Sequence, residues 1–219
     1  MKSMILDIET TGVSAKTDKI LEIAGGIMDS KEDVYAPLSD PWRILVVHES
    51  NLSVPLRVLS MHSKTGLWQL LSSMDDDMNK TKKDVIKLYE REGVDKNVKT
   101  MAVRPKMLFP IFKSMMGERL PKDSTSKRFT LGGKNVSFDL SFLVKANPKI
   151  AEFFRTRQID PGMLWINESD DVPPSLPECL ERCGKAYPGM PATLAHSALD
   201  DSTATAWVIR GGIRRLLSR

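Results

Sequence analysis

Cysteine is scarce in this 219-residue chain: there are two, Cys179 and Cys183, four apart in a stretch of helical pattern. So few thiols argue against a disulfide framework and a four-ligand zinc site, and they read as packed or partly exposed free thiols of a reducing compartment. No run of about eighteen apolar residues occurs and no basic-then-apolar leader opens the chain, so a soluble, cytoplasmic protein without a membrane partner is expected. Neither sign of charge dominates: 32 Lys and Arg against 28 Asp and Glu leave a net +4. That balance is compatible with a polyanionic partner and does not demonstrate one. Internal repeats and low-complexity tracts are also missing. What remains is a length and an apolar content that suit one sizeable core, a single domain over residues 1–219 with a charged helical insertion at about 73–104.

The stretch Met4-Ile5-Leu6-Asp7-Ile8-Glu9-Thr10-Thr11-Gly12 reads as a buried strand running into a glycine turn. Strand side chains alternate, so Asp7 and Glu9 share one face while Leu6 and Ile8 share the other. Two carboxylates side by side in an apolar strand repel each other and are costly to bury. Either the strand is an exposed edge whose acids face water, or a divalent cation favours both ionised forms.

Two more apolar strands follow, Lys19–Asp29 and Trp42–His48, which with the first suggest an antiparallel meander. Val54–Leu71 shifts towards helical spacing. Between Ser73 and Thr100 the chain turns strongly charged, and Val85, Ile86, Leu88 and Tyr89 are spaced as on an exposed helix. The run Asp75-Asp76-Asp77 cannot converge on one face and reads as a solvated helix start rather than a metal site. Another helix is expected over Met107–Met116, then a polar loop at Lys122–Arg128 and a strand from Phe129 ending at Gly132-Gly133. In the helix after Ser137, Asp139 falls on the inward stripe with Phe142, Leu143 and Ala146. Such an acid is satisfied by a cap or cation partner, or it is a ligand. Asn135 either hydrogen-bonds a substrate or, as its position favours, caps that helix. A strand over Thr156–Asp160 precedes a helix opened by Ser175 and closed by Gly184. Trp42, Trp165 and Trp207 read as core. In the last helix, about Ser197–Leu217, Asp201 and Asp200 both lead largely apolar stripes, and helical phase favours Asp201 only slightly. His196 lies about 140° round from Asp201 on an ideal helix, so it is placed on the preceding loop, over the same site.

Three separate elements can thus present acids inward: Asp7 and Glu9, Asp139, and Asp200 or Asp201. Hard oxygen ligands of this number suit two Mg²⁺ or Mn²⁺ ions, about 3.5–4 Å apart, clamping a phosphodiester. Zinc would recruit more His or Cys. An imidazole is suited to deprotonating water near neutrality.

Leu6-Asp7-Ile8-Glu9-Thr10-Thr11-Gly12, Asn135-Val136-Ser137-Phe138-Asp139-Leu140-Ser141-Phe142-Leu143 and His196-Ser197-Ala198-Leu199-Asp200-Asp201 together resemble the three motifs of the DEDDh 3′–5′ exonucleases, ribonuclease H-like enzymes that include oligoribonuclease. The resemblance spans nearly the whole chain. It implies an α/β ribonuclease H-like exonuclease fold, a five-stranded mixed sheet flanked by helices. It assigns the metal-binding roles to Asp7, Glu9, Asp139 and Asp201 and the general base to His196. The implied activity is metal-dependent release of nucleoside 5′-monophosphates from the 3′ end of single-stranded DNA or RNA.

His62-Ser63-Lys64-Thr65-Gly66-Leu67 is similar to the oligoribonuclease segment His-x-x-Ser-Gly-Leu, with Thr65 for serine, and Phe153–Asp160 is similar to its stretch after the second motif. This branch implies degradation of very short RNA and a homodimer. The charged insertion and Thr10-Thr11-Gly12 depart from it, and similar mixtures occur in virus-encoded members. On the substrate side stand Thr10, Thr11 and Gly12, whose backbone can approach a 3′ nucleotide, His62, and Leu67 with Trp68, which read as base-stacking or as helix core. The competing class is a non-catalytic nucleic-acid-binding or polymerase-associated module.

Overall fold

Alternation in the first apolar run sets the centre of the molecule. β1 (Lys2–Thr10) pairs antiparallel with β2 (Ile20–Asp29), and β2 pairs antiparallel with β3 (Ser39–Val46), the meander expected from the sequence. The structure, a computed structural model, describes residues 2–30, 37–49, 52, 54–91, 95–120, 128–184 and 196–218. Apart from Arg128, the polar loop expected at Lys122–Arg128 lies outside them.

The chain continues through α1 (Leu56–Lys64), α2 (Leu67–Thr81), β4 (Val85–Lys87), β5 (Lys99–Val103), α3 (Leu108–Arg119), β6 (Phe129–Gly132), α4 (Val136–Ala146), β7 (Phe154–Ile159), α5 (Pro161–Leu164), α6 (Leu176–Cys183) and α7 (Ala198–Leu217). Gly66, at φ 76°, breaks the helical run of Val54–Leu71 into α1 and α2. Ser175 and Glu178 close a reciprocal capping box on α6, and Gly184 at φ 67° ends it, as their spacing predicts. No helix among the described residues is long and apolar enough to cross a membrane.

Among the described residues the sheet has seven strands in the order β4-β5-β3-β2-β1-β6-β7, where five were expected. The two extra strands come from the charged segment. Among the described residues, only its beginning is α-helical, as the end of α2. Val85 to Lys87 are a strand, Leu88 to Glu90 a single 3₁₀ turn, and β5 runs parallel to β3 from Trp42↔Lys99 to Val46↔Val103. Helix spacing over Val85–Tyr89 misleads because three residues are too few to show a period of two. The partners that select the extended form lie outside the segment's own window: β4 pairs with β5 from Val85↔Val103, and β5 in turn pairs with β3 from Trp42↔Lys99. Asp75 is buried against Arg104 at 2.6 Å and Asp77 pairs with Arg91 at 2.8 Å, so the aspartate run ties this extension together and gathers no ligand set.

Both faces of the sheet are covered. Leu6 and Ile8 pack with Phe112 of α3 and Phe142 and Leu143 of α4. On the opposite face, Ile5 packs with Ala206 and Ile209 of α7, and Leu45 with Leu67, Leu71 and Met74 of α2. Each such side chain contributes roughly 1.5–3 kcal/mol on burial, enough in sum to hold Asp7 and Glu9 partly desolvated despite their repulsion.

Candidate active site

β1 and β6 pair in parallel only from Ser3↔Thr130 to Ile5↔Gly132, after which β6 gives way to α4. The far half of β1 therefore has an open edge on that side, a split of the kind where α/β sheets bind ligands. Asp139, in the first turn of α4, enters this split, and its Oδ1 accepts a hydrogen bond from the Ile8 amide at 3.0 Å. β1 ends at an irregularity of register between Glu9 and Thr10. Such irregularities re-aim side chains beside active sites.

α7 closes the site from the other face. Asp201 is half-buried, and its carboxylate, with those of Asp7 and Glu9, offers oxygens that all lie within 4.8 Å of one another. Asp200 is exposed and engaged with the N-cap: Ser197 Oγ donates to its Oδ2 at 2.6 Å, and its amide donates back to Ser197 Oγ at 3.3 Å. Packing thus decides between the two adjacent acids that helical phase left close.

Burial raises the carboxyls of Asp7, Glu9, Asp139 and Asp201. Burial pushes the Asp7 carboxyl well above its ordinary range, and Asp139, Glu9, Asp201 and Glu22 push it further. Glu9 rises to about 8, through burial first and then through Glu22, Asp201 and Asp139. Asp139 rises to about 7 by burial, against the lowering effect of hydrogen bonds from its own amide and that of Ile8. Burial raises Asp201 to about 6, and His196 pulls it back down. Four oxygen donors with excess negative charge and no cation among them fit one or more hard divalent ions.

Glu22 is the site acid that motif reading passes over. It faces Glu9 across the β1–β2 pair, is fully buried, and binds Arg43 Nε at 2.6 Å. The signal was available: like Glu9, it is an acid inside an apolar strand, Ile20-Leu21-Glu22-Ile23-Ala24. Arg43→Ala would leave this carboxylate buried and unpaired beside the cluster. The expected cost is about 2–3 kcal/mol, less than for a fully enclosed pair because Arg43 is partly open to water. Chemical denaturation checks it, and an unchanged midpoint would show that Glu22 finds another partner.

His196 sits at φ 54°, exposed, on the last residue before the N-cap of α7. His62 is buried. Its Nε2 lies 3.0 Å from the Thr10 carbonyl, so Nε2 donates, and its Nδ1 faces Glu9 Oε2 at 4.0 Å, beyond hydrogen-bond reach. The turn after β1 is held by its own bonds: Thr10 Oγ1 donates to the Gly12 carbonyl at 2.6 Å, and Lys19 N donates to Thr11 Oγ1 at 2.9 Å. Gly12 has a local reason to be glycine, since a Cβ there would stand 2.5 Å from an Asp18 carboxylate oxygen. Leu67 lies in the core with Leu45 and Leu71, whereas half-buried Trp68 lines a cavity of about 270 Å³ with His48. Asn135 does not cap α4 with its side chain: it takes the left-handed conformation at φ 52°, and its amide donates to Asp160 Oδ2 at 2.9 Å.

No protein-family model matches the chain. Similar curated proteins include an oligoribonuclease of Neisseria meningitidis serogroup A, 24% identical over 196 residues that cover 90% of this chain and 82% of the relative. That of serogroup C is 26% identical over 159 residues, 73% of this chain and 68% of the relative. Among solved structures, the fold is similar to that of a moderately thermophilic Exonuclease I from Methylocaldum szegediense, with TM-score 0.59 and 14% identity over 98% of this chain. The match spans only 40% of that Exonuclease I chain. It is also similar to Pop2p of S. pombe in its Mg²⁺- and Mn²⁺-bound form, with TM-score 0.56 and 14% identity over 94% of this chain and 81% of Pop2p.

Proposed function

We propose that this chain, a DEDD 3′–5′ exonuclease of the ribonuclease H-like group, hydrolyses the 3′-terminal phosphodiester of single-stranded nucleic acid and releases nucleoside 5′-monophosphates. The observation that carries this reading is the convergence of the Asp7, Glu9 and Asp201 carboxylates within 4.8 Å, with Asp139 buried beside them. Asp7, Glu9, Asp139 and Asp201 would hold two divalent cations, Mg²⁺ or Mn²⁺. When bound, such ions supply Lewis-acid polarisation of the scissile phosphate and a water of lowered pKa. His196, exposed and close enough to Asp201 to pull its carboxyl down, would accept the proton of the attacking water. The water oxygen bonds to phosphorus as the 3′-oxygen of the preceding nucleotide leaves. His62 acts from below: it holds the Thr10 carbonyl and so the turn on which the strand end rests. The oligoribonuclease relatives favour a second reading in which the substrate is very short RNA.

Incubating a 5′-labelled strand with Mg²⁺ or Mn²⁺ should produce a ladder shortened from the 3′ end. His196→Ala should lower the rate by about a hundredfold, the lower end of what a positioned general base contributes. Asp200→Asn, whose parent carboxylate is engaged at the cap, should stay within about twofold of wild type, a change below 0.5 kcal/mol. Equal losses in the two variants would refute the assignment of Asp201 over Asp200. No shortening at all would leave only the binding-module alternative.

A further inference from the structure

The junction between β6 and α4, which decides where Asp139 stands, is held by a residue that belongs to neither element. Asp160, directly after β7, spreads one carboxylate across this junction and the start of α5. Its Oδ2 accepts the Asn135 amide at 2.9 Å, and its Oδ1 accepts the Gly162 amide at 2.7 Å and the Lys134 ammonium at 3.4 Å. Beside them the Gly133 amide donates to the Ile159 carbonyl at 3.1 Å. On its other side the junction runs against β1: a Cβ on Gly133 would stand 2.9 Å from the carbonyl oxygen of Leu6, one residue before Asp7. The turn is thus clamped between the end of β7 and the strand that carries the first two acids.

The clamp has strain to hold. Asn135 takes the left-handed conformation, φ 52° and ψ 41°, and its side chain makes no capping bond to α4. Outside glycine this conformation is costly and persists where the surroundings fix it. Bonds from amides to a carboxylate are charge-assisted and about twice as strong as neutral ones, which suits Asp160 to that task. α4 starts from Asn135: the Phe138 amide donates to the Asn135 carbonyl at 2.8 Å, and Asp139 follows in the same first turn with its Oδ1 on the Ile8 amide. A change of backbone at the junction is therefore carried to Asp139 by a rigid turn of helix, and a ligand constellation tolerates a misplacement of only about 0.5 Å. We propose that Asp160 is a positioning residue, which fixes the left-handed turn at Asn135 and so sets the place of Asp139 in the split beside β1 and the affinity of the acid cluster for divalent cations. This rests on the exonuclease reading, in which Asp139 is a ligand.

The test measures Mn²⁺ affinity by calorimetric titration well below the melting midpoint, together with turnover of a labelled strand and the midpoint in EDTA. Asp160→Ala should weaken Mn²⁺ binding about tenfold, the lower end of what losing a group behind a metal ligand does, and raise the Mn²⁺ concentration for half-maximal turnover by a similar factor. Asp160→Asn keeps one acceptor oxygen and loses the other, so it should fall between, at about threefold. Should the alanine variant show no folding transition, the asparagine variant carries the same comparisons. Ser175→Ala, which removes the capping box of α6, lowers stability far from the junction and should leave Mn²⁺ affinity within about twofold. In an Asp139→Asn background, Asp160→Ala should change the affinity by less than about twofold, because the ligand it positions is already gone. Wild-type affinity in the Asp160 variants, an equal loss in Ser175→Ala, or an undiminished further loss in the Asp139→Asn background overturns the assignment and leaves the exonuclease reading standing. A wild type that binds Mn²⁺ yet cleaves no strand overturns that reading, and the catalytic meaning of Asp160 with it.

Discussion

Asp7→Asn should abolish strand cleavage and at the same time make the metal-free protein more stable. The substitution keeps the side chain's shape and removes one of the charges that Asp139, Glu9, Asp201 and Glu22 all oppose. On the two-ion reading proposed above, its loss should lower the rate by at least about a thousandfold, equivalent to roughly 4 kcal/mol of barrier. In EDTA, relief of repulsion should raise the melting midpoint by about 2–4 °C for each kcal/mol recovered in a chain of this size. The two readouts move in opposite directions, which a merely structural aspartate would not produce. Activity within tenfold of wild type would remove Asp7 from the reaction. A lower midpoint would make its carboxylate a stabilising group rather than a strained one.

The second large effect is a pH-dependent stabilisation by divalent cations. In the folded protein the carboxyls of Glu9, Asp139 and Asp201 are raised to about 8, 7 and 6, while in the unfolded chain they return to the ordinary carboxylate range. Where the folded value is the higher one, the native state holds protons that the unfolded chain has released. The contribution of these groups to stability is fully present below about pH 4 and is lost as pH rises towards 8. The metal-free midpoint should fall over that window. His48, whose imidazole burial keeps below the ordinary histidine range, acts the other way at the acidic end. The difference between midpoints with and without the ion isolates the cluster. Saturating Mn²⁺ or Mg²⁺ favours the ionised carboxylates, so its stabilisation should be smallest near pH 5 and largest near pH 8. Scanning calorimetry at three pH values suffices to see it. A stabilisation that is flat across this range would mean that the ion binds elsewhere.

Much of the site is written into local periodicity. Asp7 and Glu9 share a face because a strand alternates, and Leu6 and Ile8 do pack opposite them. Asp139 lies inward because it is in phase with Phe142 and Leu143, both buried. The α6 cap at Ser175 and its stop at Gly184 depend on residues within one turn of each end. Features with distant causes were not legible. β4 and β5 extend the sheet because β3 offers β5 a parallel edge, and no local pattern in a charged segment announces such a partner. His62, a candidate for substrate contact, is buried beneath the Thr10 turn, because α1 comes to rest against β1.

The chain alone therefore determined which residue types carry the chemistry and which face of each element they occupy, since alternation and helical phase are properties of neighbours in sequence. Tertiary structure decided how those faces meet. It drew Asp201 rather than Asp200 to the strand acids, because Ser197 holds Asp200 at the cap. It also placed Glu22 beside them with Arg43 as counter-ion, and opened β1 to Asp139 by ending β6 early. The physical reason is the same in each case: desolvation and charge repulsion act through space, and only the packed arrangement fixes which charges are close enough to feel them.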